Sequence, residues 1–95
     1  MVTVKLIGAL RAAAKKDVVT LSISSSQPTV QSIVESLVTE LGSDFKVAIM
    51  GSGRTDPRAN VLVLKNGVEI SALHGLDTRI EDKDELVLIP IAHGG

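Results

Sequence analysis

Thr29-Val30-Gln31-Ser32-Ile33-Val34-Glu35-Ser36-Leu37-Val38-Thr39-Glu40-Leu41-Gly42 is the stretch on which the reading of this chain turns. Val30, Ile33, Val34, Leu37, Val38 and Leu41 recur at i, i+3, i+4, i+7, i+8 and i+11, one continuous stripe of an α-helix. Gln31, Ser32, Glu35, Ser36, Thr39 and Glu40 fall on the outward face. Thr29 suits an N-cap and Gly42 a C-terminal stop. A helix with one apolar face must bury it, and the sequence offers no second long helix to receive it. The stripe demands a sheet.

The strands flank it. Val2, Val4 and Leu6 alternate with Thr3 and Lys5, and Val19, Leu21 and Ile23 alternate with Thr20, Ser22 and Ser24. Gly8 ends the first strand, and Ala9 to Lys16 supports no more than a turn or two of helix. Beyond Gly42, Phe45, Val47, Ile49 and Met50 suit either a short strand or a helical turn plugging the core. Gly51 to Arg58 reads as an exposed loop. Val61 to Lys65 is a strand, Asn66-Gly67 a hairpin turn, and Val68-Glu69-Ile70 the return. Residues 71–84 look irregular, with Leu73, Leu76 and Ile80 as core anchors. Glu85 to Ile89 is apolar on both faces, as in a central strand with one face on the helix and the other meeting something else. Pro90 is expected to stop it, having no N–H for the ladder.

Composition excludes several classes. Ninety-five residues suit one domain near the lower size limit for a sizeable core. A net charge of −1 gives no global field for nucleic acid or an anionic membrane. The absence of cysteine rules out disulfides, thiolate metal sites and a cysteine nucleophile. No apolar run approaches a membrane span, and Met1 to Lys5 reads as a strand and not a signal peptide, so a cytoplasmic location is expected.

The end of the chain stands apart. Ile91-Ala92-His93-Gly94-Gly95 carries no charged side chain, and its last two residues carry none at all. Disordered termini are usually polar, whereas this one is apolar and thin, suited to thread a narrow channel with a carboxylate at its tip. We therefore divide the chain into a domain, 1–90, and a flexible tail, 91–95.

Strand, strand, helix, strand, short strand, strand is an α+β order that closes as a β-grasp: a mixed sheet of 4–5 strands with one main helix across one face. Val4-Lys5-Leu6-Ile7-Gly8-Ala9-Leu10-Arg11, Asn66-Gly67, Leu76-Asp77-Thr78, Asp82-Lys83-Asp84-Glu85-Leu86, Ile89-Pro90 and Gly94-Gly95 resemble, in order and spacing, the ubiquitin-like sulfur carriers and modifiers. That group holds the molybdopterin synthase small subunit, the thiamine sulfur carrier, the ubiquitin-related modifier and the small archaeal modifier proteins. The single proline and the His93-Gly94-Gly95 end are similar to the ubiquitin-related modifier more than to the molybdopterin synthase subunit.

The resemblance implies a carrier and not an enzyme. A carboxylate is a poor acyl donor, and this chain has no nucleotide fingerprint, so an ATP-dependent activating enzyme would adenylate Gly95 and this chain would bind no cofactor. Sulfur transfer then gives a thiocarboxylate for tRNA thiolation or cofactor synthesis, with a sulfur acceptor enzyme as partner. Transfer to lysine gives an isopeptide on target proteins. Gly94 and Gly95 suit both routes, because a Cβ would crowd the attacking group, and no processing is needed if Gly95 is the natural terminus. A molybdopterin synthase small subunit and a non-covalent β-grasp binding module are the alternatives. By analogy with ubiquitin, Ile7, Leu62, Leu64, Val87 and Ile89 face away from the helix as one partner-binding patch, unless residues 43–60 cover it. Pro90, Ile91, Ala92 and His93 then line the partner's channel. Acidic residues 77–85 either steer the tail or form a solvated turn.

Other motifs carry less. Gly51-Ser52-Gly53 lacks a following helix for a phosphate loop. Asp82, Asp84 and Glu85 lack the remaining ligands of a calcium loop. His74 and His93 are too few for a metal site, and Ser24-Ser25-Ser26 has no histidine base nearby.

Overall fold

A computed structural model describes residues 1–23, 26–51 and 56–91. Its strands are β1 (Val2–Leu6), β2 (Val18–Leu21), β3 (Val61–Lys65), β4 (Val68–Glu69) and β5 (Glu85–Pro90), joined in one sheet of order β2-β1-β5-β3-β4. β5 pairs parallel to β1 and antiparallel to β3, so the most apolar strand is central. Helices α1 (Ala9–Ala14), α2 (Val30–Leu41) and α3 (Ser43–Met50) complete the fold. The mixed sheet with α2 against it is the expected β-grasp.

α2 forms where its periodicity places it. Val30, Ile33, Val34 and Leu37 are buried, and Val38 and Leu41 pack at the edge of the core. Thr29 Oγ1 accepts from the Ser32 N–H at 3.2 Å while Ser32 Oγ accepts from the Thr29 N–H at 2.8 Å. This reciprocal cap satisfies two donors that the first turn leaves open. Opposite the stripe lie Val2, Val4, Leu6, Val61, Val63, Leu86 and Leu88, the inward half of three strands, all buried.

Four details decide or correct the expectations. Of the two readings of residues 43–50 the helical one holds: two turns of helix bury Phe45, Ile49 and Met50 against α1, α2 and the Pro57–Ala59 turn, with Val47 exposed and not in the core. β2 ends at Leu21, two residues early, though Ile23 still packs on the core. Leu73 is no anchor: it caps a 3-10 turn and is exposed, whereas Ile70, Leu76 and Ile80 fill that corner.

The fourth concerns Pro90, which does not stop the strand but is its last residue, opposite Val61. Backbone groups of a strand point alternately to its two neighbours. The Leu88 carbonyl accepts from the Ile7 N–H on the β1 side, while the Ile91 N–H donates to the Asn60 carbonyl at 2.8 Å on the β3 side. Pro90 shares the parity of Leu88, so its missing N–H falls where β1 has already ended. The ladder loses nothing there.

Candidate functional site

Strand register fixes what lies on the sheet face away from the helices. Lys5 aligns with Val18 and Val87, Val87 with Leu64, and Leu64 with Glu69, giving one outward row. Ile89 aligns with Leu62, and Ile7 extends β1 beside Ile89, giving the next row toward the tail. Ile7 and Leu62 are 41% and 42% exposed, large values for aliphatic side chains on a sheet. Leu64, Val87 and Ile89 between them are half-buried. The five are contiguous, and the patch adjoins Ile91, the last described residue.

Of the described part of residues 43–60, α3 packs with α1 and α2 on the helix side, and Leu62 beside the Pro57–Ala59 turn stays exposed. The far half of the face is polar, with Thr3, Thr20 and the Lys5–Glu85 ion pair at 3.3 Å. The apolar surface is therefore confined to the end where the tail departs. Ala92, His93, Gly94 and Gly95 lie outside the described residues, as do Ser24, Ser25 and most of the Gly51-Ser52-Gly53 loop.

The acidic stretch is largely occupied with structure. Asn66-Gly67 turns with φ of 48° and 86°, as a type I′ hairpin requires. The Asn66 amide then bridges to the final strand: Nδ2 donates to Asp84 Oδ1 and Oδ1 accepts from the Glu85 N–H, both at 2.9 Å. Asp84 Oδ2 accepts from the Glu81 N–H at 2.7 Å and faces Lys65 Nζ at 3.7 Å. Asp82 pairs with the Met1 amino group. Of the five acids Asp77, Glu81, Asp82, Asp84 and Glu85, three thus have ionic partners within the domain, Glu85 through Lys5, which favours the turn over steering.

Burial pushes the Asp84 carboxyl up, but the Glu81 N–H, the Asn66 amide and the Lys65 ammonium together hold it below the ordinary 3.8. Its stabilising contribution is complete above that value and is lost as pH falls through the lower folded value. Asp84→Asn should therefore destabilise the domain at neutral pH and flatten the acid limb of a plot of thermal midpoint against pH. Asp56, held low mainly by Arg58, and Glu69, held low mainly by Ser71, retain part of that limb.

No constellation for catalysis stands out. Among the described residues no group of His, Asp and Glu could hold a metal ion, and His74 is exposed on a 3-10 turn with its N–H donating to Thr78 Oγ1. A cavity of about 240 Å³ between α2 and α3 is lined by Gln31, Glu35, Val38, Thr39, Lys46 and Met50, without a nucleophile–base pair. No described helix is long and apolar enough to cross a membrane.

The model of the Urm1 (ubiquitin related modifier) family matches residues 1–95, the whole chain. The chain belongs to this family. Its fold is shared by small archaeal modifier protein 1 from Methanosarcina acetivorans, 31% identical over 99% of this chain and 95% of that one, with a TM-score of 0.79. SAMP1 from Haloferax volcanii is 23% identical over 99% and 98%, with a TM-score of 0.82. CysO of Amycolatopsis orientalis, solved in a complex with BexX, is 20% identical over 100% of both chains, with a TM-score of 0.75. No curated protein sequence matches. The family is one of ubiquitin-like modifiers and sulfur carriers, so the β-grasp and the carrier resemblance hold. Sequence reasoning singled out neither Asn66 and Asp84 as the clasp on β5 nor Gly8 and Asn60 at the root of the tail. Only a register joining residues far apart in sequence brings these together.

Proposed function

We propose that this family member carries an activated acyl group at Gly95, docked by the outward patch and acted on by a separate ATP-dependent enzyme. The observation that carries this reading is the apolar surface of Ile7, Leu62, Leu64, Val87 and Ile89 beside the departing tail. Contiguous exposed apolar area on a small domain serves partner binding. Its position lets one partner hold the patch while its active site receives the tail through Pro90, Ile91, Ala92 and His93.

The chemistry follows from the carboxylate. Its oxygen attacks the α-phosphorus of ATP in the enzyme, pyrophosphate leaves, and an acyl-adenylate forms. A sulfide-equivalent nucleophile then adds to the acyl carbon and AMP leaves, giving a thiocarboxylate for tRNA thiolation or cofactor synthesis. Attack by an enzyme cysteine instead gives a thioester, which a lysine amine of a target protein resolves to an isopeptide with release of the thiol. Of the two, carriage of sulfur needs only the tail and one docking face. This chain's part is to present Gly95, with Gly94 leaving room for the nucleophile.

Leu64→Asp and Val87→Asp place charge in the patch without disturbing the inward row. Each should leave the circular dichroism and thermal midpoint near the parent's while weakening binding to the activating enzyme about 10²-fold, roughly 2.7 kcal/mol, as loss of a buried anchor does. Parent-like affinity in both folded variants would place docking elsewhere. Intact mass of the chain purified from its native cell separates free carboxylate, oxygen-to-sulfur exchange and branched conjugates.

A further inference from the structure

The root of the tail is held from two sides. On one, the Ile91 N–H donates to the Asn60 carbonyl at 2.8 Å, fastening the last described residue to the segment before β3. On the other, the Pro90 ring lies against the turn that leads from β1 into α1.

That turn has a specific geometry. Gly8 has φ 59° and ψ −131°, and the Leu10 N–H donates to the Ile7 carbonyl at 3.2 Å. These are the marks of a type II′ turn with glycine at its first central position, a conformation that side chains of L residues oppose. A Cβ at residue 8 would also stand 3.3 Å from Pro90 Cγ, closer than ordinary contact, so ring or turn would have to shift. Glycine is thus required twice, once by its backbone and once by its neighbour. Pro90 contributes the converse property, a φ fixed by its ring.

We propose that Gly8 and Pro90 form a stop that sets the direction in which the chain leaves the sheet, which makes Gly8 a positioning residue for delivery of the C-terminal carboxylate. This inference rests on the carrier reading above. Four residues follow Ile91, and a fully extended chain of four reaches about 14 Å. The direction in which the chain leaves the root therefore decides which volume beside the patch the carboxylate can reach. Acyl transfer is sensitive to misplacement on the ångström scale, because the reacting atoms must be held in line. The docking face fixes where the domain sits on its partner, and the stop fixes where the tail points from there.

The test uses the full chain, ATP and an activating enzyme isolated on the immobilised parent chain. Adenylation is followed by pyrophosphate exchange and docking by equilibrium binding. Gly8→Ala should lower kcat for adenylation by about tenfold or more. Affinity for the enzyme should fall far less than the roughly 10²-fold expected of Leu64→Asp, because Leu62, Leu64, Val87 and Ile89 keep their places and only Ile7 adjoins the turn. Pro90→Gly keeps the turn and frees the root, so it should also lower kcat while leaving the thermal midpoint near the parent's. The double variant is diagnostic: with no ring left to strike, Gly8→Ala should add to Pro90→Gly a clearly smaller loss than it causes alone, the remainder being the backbone strain at φ 59°. A parent-like kcat in either single variant, or losses that multiply in the double, overturns the stop. A parent chain that is itself never adenylated overturns the carrier reading, whereas an adenylated parent matched by both single variants overturns the stop alone.

Discussion

Deleting Gly94 and Gly95 is expected to abolish adenylation while leaving the thermal midpoint of the domain unchanged. The two halves of this result have separate physical origins. Among the described residues every buried apolar residue of the core lies at or before Leu88, and the last backbone bond of the ladder is the Ile91 N–H on Asn60. Neither deleted residue has a side chain to bury, so stability has no reason to move. The reacting carboxylate, by contrast, retreats by two residues, about 7 Å along an extended chain. It would also come to sit on His93, whose Cβ crowds the acyl carbon where Gly95 has none. A loss of reach on this scale exceeds any misalignment an active site absorbs. Pyrophosphate exchange at the parent's rate in the truncated chain would show that the tail is not the substrate, and calorimetry on the same sample supplies the stability half.

How far the molecule can be read from its sequence depends on the range of the interactions involved. α2 is legible because its period, its Thr29 cap and its Gly42 stop all lie within fourteen consecutive residues. The hairpin at Asn66-Gly67 is legible for the same reason. α3 is legible only as one of two choices, strand or helical turn, because Gly42 closes α2 and also opens α3, leaving only eight residues in which Phe45, Ile49 and Met50 mark a face. The spacing of Phe45 and Ile49, four apart on a helical row, was the available signal, but Val47 breaks the pattern. The outward patch was legible in outline, since β3 and β5 are apolar on both faces and one helix covers only one. Its confinement to the tail end was not, because that depends on the Lys5–Glu85 pair and on where β1 stops. The clasp of Asn66 on Asp84 and Glu85 spans 18 and 19 residues and has no local signature. Pro90 does not break the strand its sequence signal would end, because its missing N–H matters only on the side where a neighbour strand remains.

Leu37→Ala should have a large effect on stability. Leu37 is fully buried, midway along the α2 stripe between Val34 and Val38, in one core cluster with the inward residues of β1 and β5. Truncation removes three heavy atoms from a packed core and leaves a cavity that neighbours held by helix and sheet geometry fill only in part. For buried leucines that costs about 2–5 kcal/mol. A domain of this size has only roughly 5–15 kcal/mol to lose, so a substantial unfolded fraction near physiological temperature is expected. Ile33→Ala, buried one turn earlier, should fall in the same range. Thr39→Ala, on the exposed face, should move stability by about 0.5 kcal/mol or less. Chemical denaturation of the three variants checks the set. The prediction fails if Leu37→Ala and Thr39→Ala shift the midpoint equally, because the stripe would then not be the face that α2 turns to the sheet.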